Sequence, residues 1–281
     1  VFGVFAWIGY TMLTSPSPPE ASNSNELDDL GAETINPHEQ NRTGTRRPRL
    51  SKIVDTQLDE STGLKDYVRA RFVKKSLRIG AVIPIYGESE SICWVLSRFR
   101  RDSVDTICLV VDVPLKRVMQ KIRKAASETG VTVHIIKNKD RTGVGYSLRQ
   151  AFEYLIESGH DIFVGIAGNG KDDPVEIDRV VEPVVRGECD YVQGSRYLPG
   201  GRSARMPLVR IVFNRLYPLI WTLLTQRGCT DVTNGFRCYR LDLLRDPRIN
   251  LDQHWLNGYA LEYYLHYKVL TLRYRVEEVP V

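Results

Sequence analysis

Four short apolar runs rich in β-branched residues alternate with three stretches of helical spacing between Leu77 and Ile166. The runs are Leu77 to Ile85, Thr106 to Val111, Val131 to Ile136 and Asp161 to Ile166. The helical stretches are Ser91 to Phe99, Lys116 to Glu128 and Gly145 to Glu157, the last with Leu148, Phe152 and Leu155 on its packed face. Runs this short fill a strand buried on both faces, and the helices between them supply the crossovers that parallel strands require. The pattern predicts an α/β fold: a mostly parallel central sheet with flanking helices, of nucleotide-binding type. In such a sheet ligands gather beyond the carboxyl ends of the strands. Attention therefore falls on the residues after Ile83, Val111, Ile136 and Ile166.

The remainder of the 281 residues divides around this pattern. Residues 1–14 are apolar and read as a fragment of a longer hydrophobic element or a surface anchor. Residues 15–58 carry Pro, Ser, Asn and clustered charge and read as a flexible linker. Residues 59–76 have helical character and are expected to pack on the domain at 77–281, whose last residues form a strand-like run that predicts continuation past Val281. No apolar run approaches the roughly 18 residues of a membrane span. The five cysteines form no CxxC pair, which signals neither zinc nor a disulfide framework and fits a cytoplasmic setting. A net charge of +5 favours anionic partners without choosing among nucleotides, lipid headgroups and nucleic acid.

Four segments occupy the expected edge. In AVIPIYGESESI, Pro84 holds an extended backbone, and Tyr86 and Glu88 border a base or ribose; alternatively Glu88 and Glu90 sit in the first turn of a helix, where carboxylates are favoured. In VVDVPL, Asp112 either accepts a hydrogen bond from a base or ribose or caps a helix. In NKDRTGVGYSLRQAFEYL, Gly143 and Gly145 allow close backbone approach to a ligand, while Lys139, Arg141 and Arg149 bring positive charge suited to a diphosphate. In FVGIAGNGKDDPVEIDRV, glycines surround Asn169, Lys171, Asp172 and Asp173, and the aspartate pair either binds a divalent ion or caps the helix that Pro174 opens. Neither GxGxxG nor a phosphate loop ending in Gly-Lys-Ser/Thr occurs, so neither a dinucleotide oxidoreductase nor an ATPase is supported. No recognition helix or zinc pattern points to nucleic acid.

With RTGVGYSLRQAFEY, DDPVEIDRVVEPVVRGECDYVQGSRY, DVTNGFRCYR and NGYALEYYLHYKVLTLRYRVEEVPV following in order, residues 77–281 resemble the inverting GT-A glycosyltransferases that include dolichol- and polyprenol-phosphate mannosyl- and glucosyltransferases. The resemblance implies a nucleotide-sugar donor over Pro84, Tyr86, Glu88, Asp112, Arg141 and Asn169. It implies a lipid-phosphate acceptor, a membrane surface on the cytosolic face and a possible homo-oligomer. Arg196 falls in the loop beside the phosphates, with Arg202, Arg205 and Arg210 in a positive patch; Arg202 and Arg205 also suit a solvated basic surface. Asp231 falls near the acceptor and becomes the general-base candidate if that acceptor is a hydroxyl. Arg237 falls near the phosphates or a supporting carboxylate, and Glu262 is an orienting group or a surface glutamate. Met206 to Leu224 reads as an interfacial helix or as one buried in a dimer.

The chain departs from the family at its metal site. Members place Asp-x-Asp after the fourth strand; here Ala167 and Asn169 take those positions and Lys171 that of the usual glutamine. Three readings stay open. Lys171 supplies the missing positive charge, so that no cofactor is needed; Asp172 and Asp173 hold a displaced Mg²⁺ or Mn²⁺; or the chain is a non-catalytic interaction protein on a transferase core. Lys171, Asp231 and Arg196 are the catalytic candidates.

Overall fold

A computed structural model describes residues 27–37, 77–86, 90–202 and 208–281, and of residues 208–215 the backbone alone. The apolar segment 1–14 and the expected helix at 59–76 lie outside the described residues, as do Glu88, Arg205 and the side chain of Arg210.

Among the described residues one eight-stranded sheet runs in the order β1 (Gly31–Ile35), β4 (Thr132–Asn138), β3 (Thr106–Asp112), β2 (Ile79–Tyr86), β5 (Ile162–Gly165), β7 (Arg237–Arg240), β6 (Tyr191–Ser195), β8 (Val276–Pro280). The alternation read from the sequence builds its centre. Strands β2 (Ile79–Tyr86), β3 (Thr106–Asp112), β4 (Thr132–Asn138) and β5 (Ile162–Gly165) are mutually parallel where they pair. Every residue of β3 is buried, as its unbroken apolar run requires for a central strand covered on both faces. Successive side chains still part to opposite faces. Ile107, Leu109 and Val111 join one core with Ala81, Ile83 and Ile85, whereas Cys108 and Val110 join the other with Val82.

Helices α1 (Ser91–Ser97), α2 (Lys116–Glu128) and α4 (Ile177–Val185) cover the first face through Leu96, Met119, Ile122 and Val180. Helices α3 (Val144–Glu157) and α6 (Ala260–Thr271) cover the second through Leu148, Phe152, Leu155 and Leu265. Beyond β5 the sheet reverses: β7 (Arg237–Arg240) lies antiparallel to β5 and to β6 (Tyr191–Ser195), and β8 (Val276–Pro280) pairs parallel with β6. Helix α5 (Leu208–Thr225) packs on α6 through Trp221, which meets the rings of Tyr263, His266 and Tyr267.

Within the stretch read as a linker, Gly31–Ile35 forms β1, an edge strand antiparallel to β4. Its composition is polar because one side faces solvent, and charge pairing fixes it where apolar burial does not. Arg123 of α2 donates from Nε to Glu33 at 2.9 Å and also pairs with Asp28. His134 and Thr34 lie 2.8 Å apart across the two strands.

Candidate active site

Parallel register brings Tyr86, Asp112 and Asn138 side by side at the carboxyl edge of β2, β3 and β4. Asp112 is buried and accepts four hydrogen bonds: from Thr142 N at 2.8 Å, Thr142 Oγ1 at 2.9 Å, Asn138 Nδ2 at 3.0 Å and Gly143 N at 3.3 Å. It therefore holds the 139–143 loop against the strand ends and does not cap α2, whose first residue follows an extended Leu115. The loop carries Arg141, whose guanidinium lies 4.4 Å from the centre of the Tyr86 ring. Such a cation–π contact keeps a positive charge at this edge.

The glycines of the same segment have a different task from the expected one. Gly143 takes φ 91°, and a methyl on either Gly143 or Gly145 would run into the backbone of Leu256, Asn257 and Gly258. Tyr146 N donates to Asn257 O at 3.0 Å, and Arg149 donates to Leu251 O at 3.3 Å and to the Asn257 side chain. Close backbone approach is made to the protein's own 251–258 loop, and Arg149 is spent on that loop.

Next to this edge, past Pro84 of β2 and the end of β5, opens a cavity of about 390 Å³. Pro84, Asn169, Lys171, Asp172, Arg196, Arg202, Arg237 and Glu262 all line it. Tyr86, Asp112 and Arg141 lie beside it without lining it, and Asp231 sits behind its wall. Thr233, Asn234 and Tyr259 also line it and carry no sequence signal beyond lying in or beside DVTNGFR and NGYALEYY.

The turn after β5 separates the two aspartates. Asn169 Oδ1 accepts from Lys171 N at 3.2 Å, which folds the turn back on itself. Asp172 Oδ2 accepts from Ala167 N at 3.0 Å, and burial raises its carboxyl to about 6 against the opposing pull of that N–H, Arg196 and Lys171. Asp173 points elsewhere. It caps the turn at Pro174–Glu176 by accepting from Val175 N at 3.1 Å, and Arg98 grips both its oxygens at 3.2 and 2.6 Å. The bond from Arg98 keeps the Asp173 carboxyl below its usual range. With Ala167 offering no ligand atom and Asp173 neutralised by arginine, these residues do not fit a Mg²⁺ or Mn²⁺ ion held by two adjacent carboxylates. Among the described residues no group of three His, Cys, Asp or Glu side chains could hold a metal. Lys171 is exposed at the cavity and its ammonium forms no ion pair with a described residue.

Arg196 and Asp231 form a fork-to-fork pair, Nε to Oδ2 at 2.7 Å and Nη2 to Oδ1 at 2.9 Å. Asp231 is 1% exposed, and it also accepts from Arg196 N at 3.2 Å, Thr233 N at 3.0 Å and Thr233 Oγ1 at 3.2 Å. Both oxygens are occupied, so a general base free to receive a proton is not what the geometry offers here; the carboxylate orients Arg196. Arg237, expected near the phosphates or a supporting carboxylate, lies within electrostatic reach of Glu262, but its donors go elsewhere. Buried, it donates to three backbone carbonyls: Nε to Asn234 at 2.8 Å, Nη1 to Glu262 at 2.6 Å and Nη2 to Val232 at 2.8 Å. It ties the 231–235 loop to the first turn of α6. Glu262 is half-buried in the cavity wall with no hydrogen bond to its carboxylate from a described residue, and burial raises its pKa despite Arg237 nearby. Arg202 is exposed and is fixed through its backbone N–H to Val281 O at 2.8 Å.

On α5, Trp221 is buried while Leu216, Leu219, Leu223 and Leu224 are 45, 57, 66 and 42% exposed. The helix packs on one side and presents leucines on the other. Among the described residues no helix is long and apolar enough to cross a membrane.

No family model matches the chain. It is 30% identical over 208 residues to the undecaprenyl-phosphate mannosyltransferase of Micrococcus luteus, covering 73% of this chain and 83% of that protein. It is 26% identical over 213 residues to the polyprenol monophosphomannose synthase of Mycolicibacterium smegmatis, covering 74% and 78%. Its fold superposes on the glucosyl-3-phosphoglycerate synthase of Mycobacterium tuberculosis, solved with Mn²⁺, UDP and phosphoglyceric acid, with a TM-score of 0.53 at 18% identity over 81% of this chain and 76% of that one. A mostly parallel sheet whose carboxyl edge frames a cationic cavity, together with these likenesses, shows that the chain belongs to the GT-A glycosyltransferases, enzymes that transfer a sugar from a nucleotide-sugar donor.

Proposed function

We propose that this enzyme transfers a sugar, with inversion and without a divalent metal, from a nucleotide sugar to a polyprenyl-phosphate or other lipid-linked acceptor. The observation that carries the reading is Lys171, whose ammonium stands at the cavity in the turn after β5 without an ion pair among the described residues, where relatives of the family hold a metal. The nucleotide lies along Pro84, Tyr86 and Arg141, the loop being braced by Asp112. The acceptor oxygen forms its bond to the anomeric carbon as the bond from that carbon to the diphosphate breaks. Lys171 and Arg196 offset the charge left on the departing nucleoside diphosphate, and Arg196, held by Asp231, does so without reorganising during the reaction. A phosphate acceptor is already ionised at neutral pH, so the absence of a free base at Asp231 is no obstacle. Arg202, exposed at the cavity, is a cation such an anion can meet. The undecaprenyl phosphate and the polyprenol monophosphomannose in the names of the two relatives, with the exposed leucines of α5, support a lipid-borne acceptor met at a membrane surface.

The test is transfer from UDP- and GDP-hexoses to polyprenyl phosphate in vesicles, with Mg²⁺ or Mn²⁺ and with EDTA. Turnover that persists in EDTA is expected. Lys171→Ala is expected to lower kcat by about 10²–10³ while donor binding remains, the size seen on removing one charge-stabilising donor. Activity abolished by EDTA and restored by Mn²⁺, with Lys171→Ala unimpaired, overturns the reading.

A further inference from the structure

The family resemblance spans residues 77–281, yet β1 comes from the stretch before it and reaches the nucleotide edge. It runs antiparallel to β4, from Gly31 opposite Lys137 to Ile35 opposite Val133, so the residues that lead into it lie at the carboxyl end of the sheet. There Asp28 N donates to Pro114 O at 2.7 Å, and Leu27 forms an antiparallel bridge with Leu115. The Asp28 carboxylate pairs with Arg123 of α2 and stands 3.8 Å from the ammonium of Lys137, whose side chain is 5% exposed. A lysine so buried needs a counter-charge, and Asp28 supplies one.

These contacts fall on a strained loop. Val113 takes φ 54° and is the β-branched one of three non-glycine residues with positive φ among the described residues. That region is costly for a side chain branched at Cβ and persists only where neighbours impose it. Val113 N donates to Asn138 O at 2.9 Å, and Leu115 N donates to Val113 O at 2.9 Å. The next two residues, Pro114 and Leu115, are the ones that Asp28 and Leu27 hold. Directly before Val113 stands Asp112, whose carboxylate fixes the 139–143 loop and with it Arg141 over the Tyr86 ring. We propose that residues 27–35 belong to the nucleotide site: Asp28 holds the 112–115 loop in its strained form, which sets Asp112 and through it places Arg141 beside the nucleotide. Asp28 is a positioning residue and touches no ligand itself. This rests on the reading above that the nucleotide lies along Tyr86 and Arg141, and it extends that site to a strand outside the family's stretch.

Calorimetry of the full chain with UDP and with GDP reads the effect, with Tm recorded beside it. Asp28→Ala and Asp28→Asn are expected to lower affinity for whichever diphosphate binds by about tenfold, within the range for residues that act on a ligand through others. Glu33→Ala is the control. It releases the same Arg123 from the same strand, at a position opposite Ile135 and away from the 112–115 loop, so it lowers Tm and leaves the affinity as it is. Arg141→Ala is expected to weaken binding too, and in combination with Asp28→Ala to lose less than the product of the two, since one acts through the other. A second measurement needs no variant. By reciprocity, bound nucleotide must tighten the contact that favours it. Saturating UDP or GDP is therefore expected to slow hydrogen exchange at the Asp28 amide of the unaltered protein, and to affect the Ile35 amide little. With Arg141→Ala impaired, four results count against the strand alone and overturn the proposal: affinity unchanged in both Asp28 variants, an equal loss in Glu33→Ala, a double variant that loses the full product, or an Asp28 amide indifferent to nucleotide. Arg141→Ala without effect, or a protein that binds neither diphosphate, instead overturns the placing of the nucleotide, and this proposal falls with it.

Discussion

At neutral pH Asp172 keeps its charge in a half-buried corner where Ala167 N is its hydrogen-bond donor. Its folded-state pKa of about 6 stands above that of the unfolded chain, so the charged form is disfavoured by folding. The sign follows: the penalty is present above about pH 6 and disappears as pH falls from there toward the unfolded value. Asp172→Asn, which still accepts from Ala167 N, is expected to raise Tm by a few degrees at pH 8, and by progressively less as pH falls from 6 to 4. Calorimetric scans across that range check it. Arg196 gives the opposite case. Arg196→Ala leaves Asp231 buried and uncompensated, and a loss of about 3–5 kcal/mol is expected in urea denaturation. An effect under about 1 kcal/mol would show that Asp231 finds other partners. At this scale the sequence exposed residue types but not their partners. Asp231 and Arg196 were legible as important by their motifs, yet which one faces the ligand depends on a salt bridge between residues 35 apart. Arg237 likewise reads as a neighbour of the phosphates or of a carboxylate until three backbone carbonyls are seen to take its donors.

Among the elements, the strands and helices from β2 to β5 were legible because each is driven by its own periodicity. β3 and α2 begin where apolar spacing places them. β1 was not legible, since a polar five-residue strand owes its place to α2 and β4. The Arg123 contacts to Asp28 and Glu33 are what pin it. Replacing both acids by alanine is expected to cost about 2 kcal/mol at low salt, from the loss of hydrogen bonds to a charged group, and less in 1 M NaCl. Denaturant titrations at the two ionic strengths read this directly. The exposed face of α5 makes a separate prediction. Leu219→Ser with Leu223→Ser is expected to reduce co-sedimentation with anionic vesicles by tenfold or more, since each exposed leucine contributes about 1.5–3 kcal/mol when fully buried in lipid. Unchanged fold and unchanged turnover on a water-soluble short-chain acceptor would accompany it. Vesicle binding that survives the double substitution would rule out this face as the contact.

Across the whole molecule the sheet changes direction between β5 and β7. The α/β class could be read from the first four strands, but this reversal could not, because β7 and β6 are short and their antiparallel pairing is fixed by distant neighbours. The carboxyl ends of β2, β3 and β4 form one edge of the site, and the cavity beside it is walled by the turn after β5, by the loop that leads into β7 and by α6, the last two joined by Arg237. The cavity is thus lined from separate stretches of chain, chiefly 163–176, 196–202 and 233–265. On the proposed reading, changes in one stretch retune which sugar or acceptor is admitted while the others go on holding the nucleotide, which makes this architecture open to new specificities by piecemeal substitution.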